Sequence, residues 1–150
     1  MAWPLLQYSI MENDLQRFVI AQSRDYTRAL AEIRAGKKQS HWIWYIFPQL
    51  TGLGSSHNAT YYGLANLDEA MAYLKHPALG PRLIELSKAL LQNPGNNATA
   101  IMGSPDDLKL RSCMTLFAEI PDAEPVFGQV LDKLFKGQKD EKTLALLTGK

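Results

Sequence analysis

The chain has 150 residues, of which 46% are hydrophobic and 21% are charged, with a formal net charge of +1. This length suits one domain around one core, and the near-neutral charge excludes a global field that attracts nucleic acid or an acidic membrane. The single cysteine, Cys113, excludes an internal disulfide, as is typical of the reducing cytoplasm. No apolar run reaches the roughly 18 to 20 residues of a membrane-spanning helix. We therefore expect a cytoplasmic protein that binds neither nucleic acid nor membrane.

The N-terminal part of the chain divides at about residue 11. Pro4 interrupts a short apolar run that lacks the basic residues of a signal peptide. Residues 1–10 are therefore predicted to be an N-terminal extension, with two explanations open: an extended leader, or a start placed too early, with Met11 as the true one. A single domain is predicted over residues 11–150. Helical spacing begins after Asn13, a candidate N-cap, and ends at Gly36. The pattern leaves open whether one helix or two lie between them.

The segment 40–49 concentrates rigid side chains, namely His41, Trp42, Trp44, Tyr45 and Phe47. Both alternating faces are apolar, which fits a buried strand, but a short helix capped by Ser40 and stopped by Pro48 fits as well. No second convincing strand is present to pair with it. We favour the helix, because a lone strand would leave its backbone groups unpaired.

The rest of the chain reads as helices separated by Gly, Pro and Asn. Predicted helix starts are Ser55 or Ser56, Asn66 or Asp68, Gly80-Pro81, Ser104-Pro105, Pro125 and Asp140. The start at Ser104 has the strongest signals, with a serine cap, proline at the first position and two acids in the first turn. These patterns predict an all-α fold, a single compact domain of about seven or eight short helices.

Charged and apolar residues interleave in the predicted helix after Ser104. Asp106 with Lys109, and Asp107 with Arg111, have the spacing of surface ion pairs, worth roughly 0.2–0.5 kcal/mol each. That structural interpretation and a functional one stay open. In the functional one, Lys109 and Arg111 hold a phosphate or carboxylate while an acid orients a hydroxyl or water.

The candidate site residues come from these two stretches, which we expect to meet in space. His41 and Asp106 are the candidate catalytic residues for proton transfer. The candidate ligand-binding residues are Trp42, Trp44, Gln49, Tyr62, Lys109, Arg111 and Ser112. Each has a structural alternative as a core or surface residue, and Cys113 is expected to be an inert buried thiol. Histidine and cysteine spacing supports no metal site, and no cofactor is predicted.

Three motifs resemble a bacterial family of uncharacterised cytoplasmic proteins, a domain of unknown function. The motifs are SHWIWYIFPQ at 40–49, HPALGPRL at 76–83 and SPDDLKLRSCMTLF at 104–117, and the resemblance covers about residues 13–148. It implies an all-helical domain with no established activity. Members are sometimes labelled calpastatin-like, but calpastatin is a long, disordered, repeated inhibitor, whereas this chain is apolar and unrepeated.

A second, fainter resemblance is to the NADAR family, which is helical and linked to hydrolysis of ADP-ribose-type N-glycosides. The matching positions are Arg111-x-x-Met114, Lys133-Leu134-Phe135 and Leu144-x-x-Leu147-Thr148-Gly149, with His57 and Tyr61-Tyr62 similar to a His-Tyr-Tyr segment. Ser56 stands where that family has a glutamate before the histidine.

Two functions of different classes follow from these observations. The first is a pocket for a phosphorylated or nucleotide-like small molecule, with N-glycoside hydrolysis as the reaction that the second resemblance implies. The alternative is a non-catalytic protein-interaction module, in which the same residues are structural. A polar pocket that joins the two motifs distinguishes them, because the second hypothesis predicts none. The sequence does not indicate an oligomeric state.

Overall fold

A computed structural model describes the backbone of residues 3–149 and the side chains of residues 15–149. The helices in chain order are α1 (Trp3–Arg34), α2 (Ile43–Ile46), α3 (His57–Tyr61), α4 (Leu67–Lys75), α5 (Leu79–Gln92), α6 (Ala98–Met102), α7 (Asp106–Ala118), α8 (Pro125–Phe135) and α9 (Glu141–Leu147). They pack into one domain, which confirms the predicted all-α class. The described residues contain more helices than expected because α2, α3 and α6 are turns of 4, 5 and 5 residues.

Helix α1 is one continuous helix of 32 residues. Asn13 lies inside it, so the prediction that Asn13 is an N-cap is wrong. Residues 3–10 belong to the same helix, while residues 1 and 2 lie outside the described residues. The division into an extension and a domain of residues 11–150 stays a prediction. The helix ends as expected at Gly36, whose φ of +81° is the left-handed conformation that glycine adopts at helix ends.

The segment 40–49 forms a single helical turn rather than a strand. Trp42, not Ser40, occupies the N-cap position of α2, and no side chain caps it. Ser40 instead donates both its N–H and its hydroxyl to the carboxylate of Glu32 in α1. Pro48 follows the helix, and Leu50 then forms an isolated parallel bridge with Leu64. The prediction of a short buried helix is confirmed for four residues.

Helix α7 is the central element of the domain. It packs against α6, α8 and α9 and also contacts α2 and α4. A row of rings runs through the core beside it, with centroids 5.1 Å apart for Phe18 and Tyr73, 5.5 Å for Tyr73 and Phe117, and 5.6 Å for Phe117 and Phe127. Within residues 3–149, no helix combines the length and apolar character that a membrane crossing requires.

Candidate functional site

An open cavity of about 930 Å³ lies where the two sequence motifs meet. Its wall comes from three segments, 49–54 after α2, 105–112 at the start of α7, and 137–144 around the start of α9. Helix α7 brings these segments together because it contacts both α2 and α9. The volume lies in the range of small-molecule sites, roughly 300–1,000 Å³. We call this space the α7 cavity.

Arg111 is a cation of the α7 cavity whose charge is incompletely compensated. Its guanidinium contacts the carboxylate of Asp140 at 3.9 Å, and its side chain is 29% exposed. The Nε atom is buried, and no residue among those described accepts a hydrogen bond from it. The expected pair with Asp107 does not form, because Asp107 accepts from the hydroxyl of Thr99 at 2.6 Å. A guanidinium offers five donors, so most of the binding capacity of Arg111 is unused.

Asp140 positions the start of α9 against α7. Its Oδ2 accepts from the backbone N–H of Thr143 at 3.0 Å and from the Thr143 hydroxyl at 2.6 Å, which confirms the predicted N-cap. The Ser112 hydroxyl of α7 lies 3.1 Å from the same oxygen. The Asp140 N–H donates to the Thr115 hydroxyl at 2.9 Å. These contacts fix the segment 137–144 as the far wall of the cavity.

Asp106 lies next to the cavity, in an ion-pair cluster. Its two carboxylate oxygens are 2.8 Å from the Nζ of Lys38 and 3.4 Å from the Nζ of Lys109, as predicted for the second pair. Each lysine also lies over an indole ring, Lys38 over Trp42 at 4.8 Å and Lys109 over Trp44 at 5.4 Å. A cation over an indole face is stabilised by the ring quadrupole. The cluster therefore ties the segment before α2 to the first turn of α7.

Ser104 does not cap α7 as predicted. Pro105 occupies the N-cap position, the helix begins at Asp106, and no side chain caps it. The peptide bond between Ser104 and Pro105 is cis. The pairing of Asp106 with two lysines holds this end of the helix instead.

The structure separates the predicted site residues into two groups. Those that line the α7 cavity are Gln49, Lys109, Arg111 and Ser112, and those that do not are His41, Trp42, Trp44, Tyr62 and Asp106.

Each residue of the second group has a defined place outside the cavity. Trp42 is fully buried and donates its indole N–H to Glu32 at 2.9 Å. Tyr62 packs against Phe18 and Tyr45, and burial raises the pKa of its hydroxyl. His41 is exposed.

Sequence reasoning missed most of the wall after α8. Lys139, Asp140, Glu141 and Lys142 line the cavity, and Asp140 was interpreted solely as a helix cap. Four charged residues in succession after Gly137 were the available signal, but such a run is typical of any solvated helix start. Among the described residues, no group of three His, Cys, Asp or Glu side chains is arranged to hold a metal ion. Cys113 is buried as expected, and burial raises its pKa.

Comparison with known proteins supports the all-α fold. A crystal structure of the conserved hypothetical protein Rv1873 from Mycobacterium tuberculosis is 50% identical, covers 90% of this chain and 96% of its own, and superposes with a TM-score of 0.88. No curated protein matches the sequence. Residues 12–147 match the family described as Protein of unknown function (DUF1810). The chain therefore belongs to the DUF1810 family.

Proposed function

We propose that the α7 cavity binds a small phosphorylated molecule, with nucleotides and ADP-ribose-like compounds as the principal candidates. The incompletely compensated guanidinium of Arg111 carries this proposal. Its contact with Asp140 at 3.9 Å is at the outer limit of an ion pair, and its buried Nε–H has no acceptor among residues 15–149. A bound phosphate would supply the missing negative charge and accept hydrogen bonds from the planar guanidinium.

The other charges of the cavity support an anionic ligand. Three lysines, Lys109, Lys139 and Lys142, accompany Arg111, against the two acids Asp140 and Glu141. Asp140 already accepts hydrogen bonds from Thr143 and Ser112, so its charge is partly used within the protein. Lys109 and Lys139 are paired with Asp106 at 3.4 Å and with Glu119 at 2.6 Å, so Arg111 and Lys142 are the cations of the wall that are left to meet an anionic ligand.

Binding is tested by calorimetric titration of inorganic phosphate, ribose 5-phosphate and nucleoside 5′-phosphates. We expect at least one to bind the wild type, and Arg111→Met to weaken it by at least about tenfold, since a hydrogen bond to a charged group contributes roughly 1.5–3 kcal/mol. Arg28→Met is the matched control, because Arg28 is 61% exposed on α1. Its substitution removes the same charge at a position away from the cavity. Equal binding by the wild type and Arg111→Met, or no binding of any phosphorylated compound, would contradict the proposal.

Hydrolysis of an N-glycosidic bond in the cavity has less structural support than ligand binding. The candidate catalytic residues His41 and Asp106 do not line it, and the carboxylates that do are Asp140 and Glu141. Hydrolysis of an N-glycosidic bond needs a carboxylate or imidazole within hydrogen-bond reach of the sugar or water. Incubating the protein with bound nucleotides and assaying for released base tests this reaction. No release above that of the Arg111→Met variant would limit the function to binding.

The interaction-module alternative is supported by a different surface. Ile20 and Tyr61 are 57% and 51% exposed and line a second recess of about 510 Å³. Exposed large apolar side chains at one recess are typical of contact surfaces. Light scattering tests this alternative, which predicts a mass above the monomer that Tyr61→Ser lowers. A monomeric mass for the wild type would count against self-association.

A further inference from the structure

Gln49 differs from the other buried glutamine of the domain. Both are more than nine-tenths buried, with 7% exposure for Gln49 and 1% for Gln22. The amide of Gln22 is fully used, since it donates to the carbonyl of Tyr45 at 2.8 Å and to the hydroxyl of Tyr73 at 2.9 Å, and accepts from Arg82 at 3.5 Å. The amide of Gln49 forms no hydrogen bond with residues 15–149, and it lines the α7 cavity, where solvent reaches its nitrogen and oxygen.

A largely buried amide usually has a hydrogen-bond partner, and one that opens onto a cavity finds that partner in water or in a ligand. Two contacts within or next to segment 49–54 define the position of Gln49. The backbone of Gln49 is bound to Leu64, whose N–H donates to the Gln49 carbonyl at 2.9 Å. Its side-chain nitrogen lies beside Gly54, where an added Cβ would be 3.8 Å away. The backbone of Gln49 is therefore fixed, while the donor and acceptor of its amide remain available to the cavity.

Apolar side chains line the same cavity. Its wall includes Leu53, Leu108 and Leu144. Leu108 is 51% exposed, on the face of α7 that points away from the core. Apolar walls with a few fixed polar groups are the usual composition of a site for a planar organic group. Proteins commonly bind a nucleobase between apolar or aromatic side chains while a polar side chain contacts its edge.

We propose that Gln49 is the specificity-determining residue of the cavity and hydrogen-bonds to the edge of a nucleobase. A primary amide presents one donor beside one acceptor, which complements the adjacent donor and acceptor that each nucleobase presents. The leucines contact the faces of the base, and Arg111 binds the phosphate. This inference rests on the proposed function, since it assigns the second half of the same ligand.

The test compares ribose 5-phosphate with the four common nucleoside 5′-phosphates by calorimetric titration. In the wild type, at least one nucleotide is expected to bind about tenfold or more tightly than ribose 5-phosphate. Gln49→Met keeps the length of the side chain but removes the donor and acceptor. It is expected to reduce nucleotide affinity to that of ribose 5-phosphate and to change ribose 5-phosphate affinity less than about twofold. Gln129→Met, an exposed change on α8, is the matched control.

The outcomes separate the two proposals. If ribose 5-phosphate and nucleotides bind equally in the wild type, or if Gln49→Met weakens both to the same extent, the role of Gln49 is refuted while the phosphate site stands. If neither compound binds, the proposed function fails as well. Should Gln49→Met not fold, as judged by thermal melting, Gln49→Glu serves as the second variant. It accepts but no longer donates, so a selective loss of nucleotide over ribose 5-phosphate affinity supports the inference and an equal loss refutes it.

Discussion

Replacing Glu32 with glutamine tests how the loop before α2 is attached to α1. The Oε1 atom of Glu32 accepts from the N–H of Gln39 at 2.8 Å, the N–H of Ser40 at 3.0 Å and the indole N–H of Trp42 at 2.9 Å. Its Oε2 accepts from the Ser40 hydroxyl at 2.6 Å. The Glu32 carboxylate therefore holds the loop before α2 in place. Lys38 of that loop forms an ion pair with Asp106 at the start of α7.

The pKa of Glu32 sets the size of the effect. Burial alone would raise this pKa, but the hydrogen bonds from Ser40, Gln39 and Trp42 outweigh it and lower the pKa from 4.5 to about 2. Each pKa unit corresponds to about 1.4 kcal/mol, so the shift sets an upper limit of roughly 3 kcal/mol. Solvent screening at this partly exposed carboxylate reduces the stabilisation to roughly 1–2 kcal/mol. The folded pKa lies below the unfolded one, so this contribution is complete above about pH 4.5 and is lost as the pH falls towards 2.

Glu32→Gln keeps the shape and an acceptor for the three N–H groups, and its amide can donate to the Ser40 hydroxyl. We expect it to lower the free energy of unfolding in urea by roughly 1–2 kcal/mol at neutral pH, with the difference from wild type shrinking as the pH falls from about 5 to about 3. The control Glu124→Gln alters an exposed glutamate and should change stability by less than about 0.5 kcal/mol. A difference below about 0.5 kcal/mol at neutral pH, or one independent of pH, would refute this reasoning.

Three further predictions concern packing and reactivity. A Cβ at Gly80 would lie 1.9 Å from the carbonyl oxygen of Leu74, so Gly80→Ala should lower the free energy of unfolding by roughly 2–3 kcal/mol, measured in urea. Gly128 in α8 has no atom within 4 Å of an added Cβ, so Gly128→Ala should instead raise it by roughly 0.5–1 kcal/mol, and equal effects of the two changes would contradict the structure. The ammonium of Lys133 donates to three carbonyl oxygens at the end of α5, and Lys133→Met should lower the melting temperature, with a loss of roughly 2 kcal/mol. Cys113 is fully buried with a raised pKa, so a thiol reagent should modify it rapidly in denaturant and slowly in buffer, whereas equal rates would show that the core opens freely.

The signals that were correctly interpreted from sequence are local ones. The sequence predicts caps at Ser55 or Ser56, at Asn66 or Asp68, and at Asp140. In the structure Ser56, Asn66 and Asp140 each accept a hydrogen bond from the backbone N–H three residues later. The ion pair of Asp106 with Lys109 is also local, because three residues separate them on one helix. Together such local signals determine the all-α class, although the caps expected at Asn13, Ser40 and Ser104 and the pair of Asp107 with Arg111 do not form.

The site depended on contacts between distant parts of the chain. Arg111 has the spacing to pair with Asp107, but in the fold its nearest carboxylate is that of Asp140. Asp107 instead accepts a hydrogen bond from the hydroxyl of Thr99. Trp42 and Gln49 belong to one segment and both were candidates for the site. Tertiary packing buries Trp42 in the core and leaves the amide of Gln49 in the cavity. The packing of the helices decides which polar groups remain unpaired, because it can bring a partner from a distant part of the chain as close as one that is four residues away. A local sequence pattern does not contain that information.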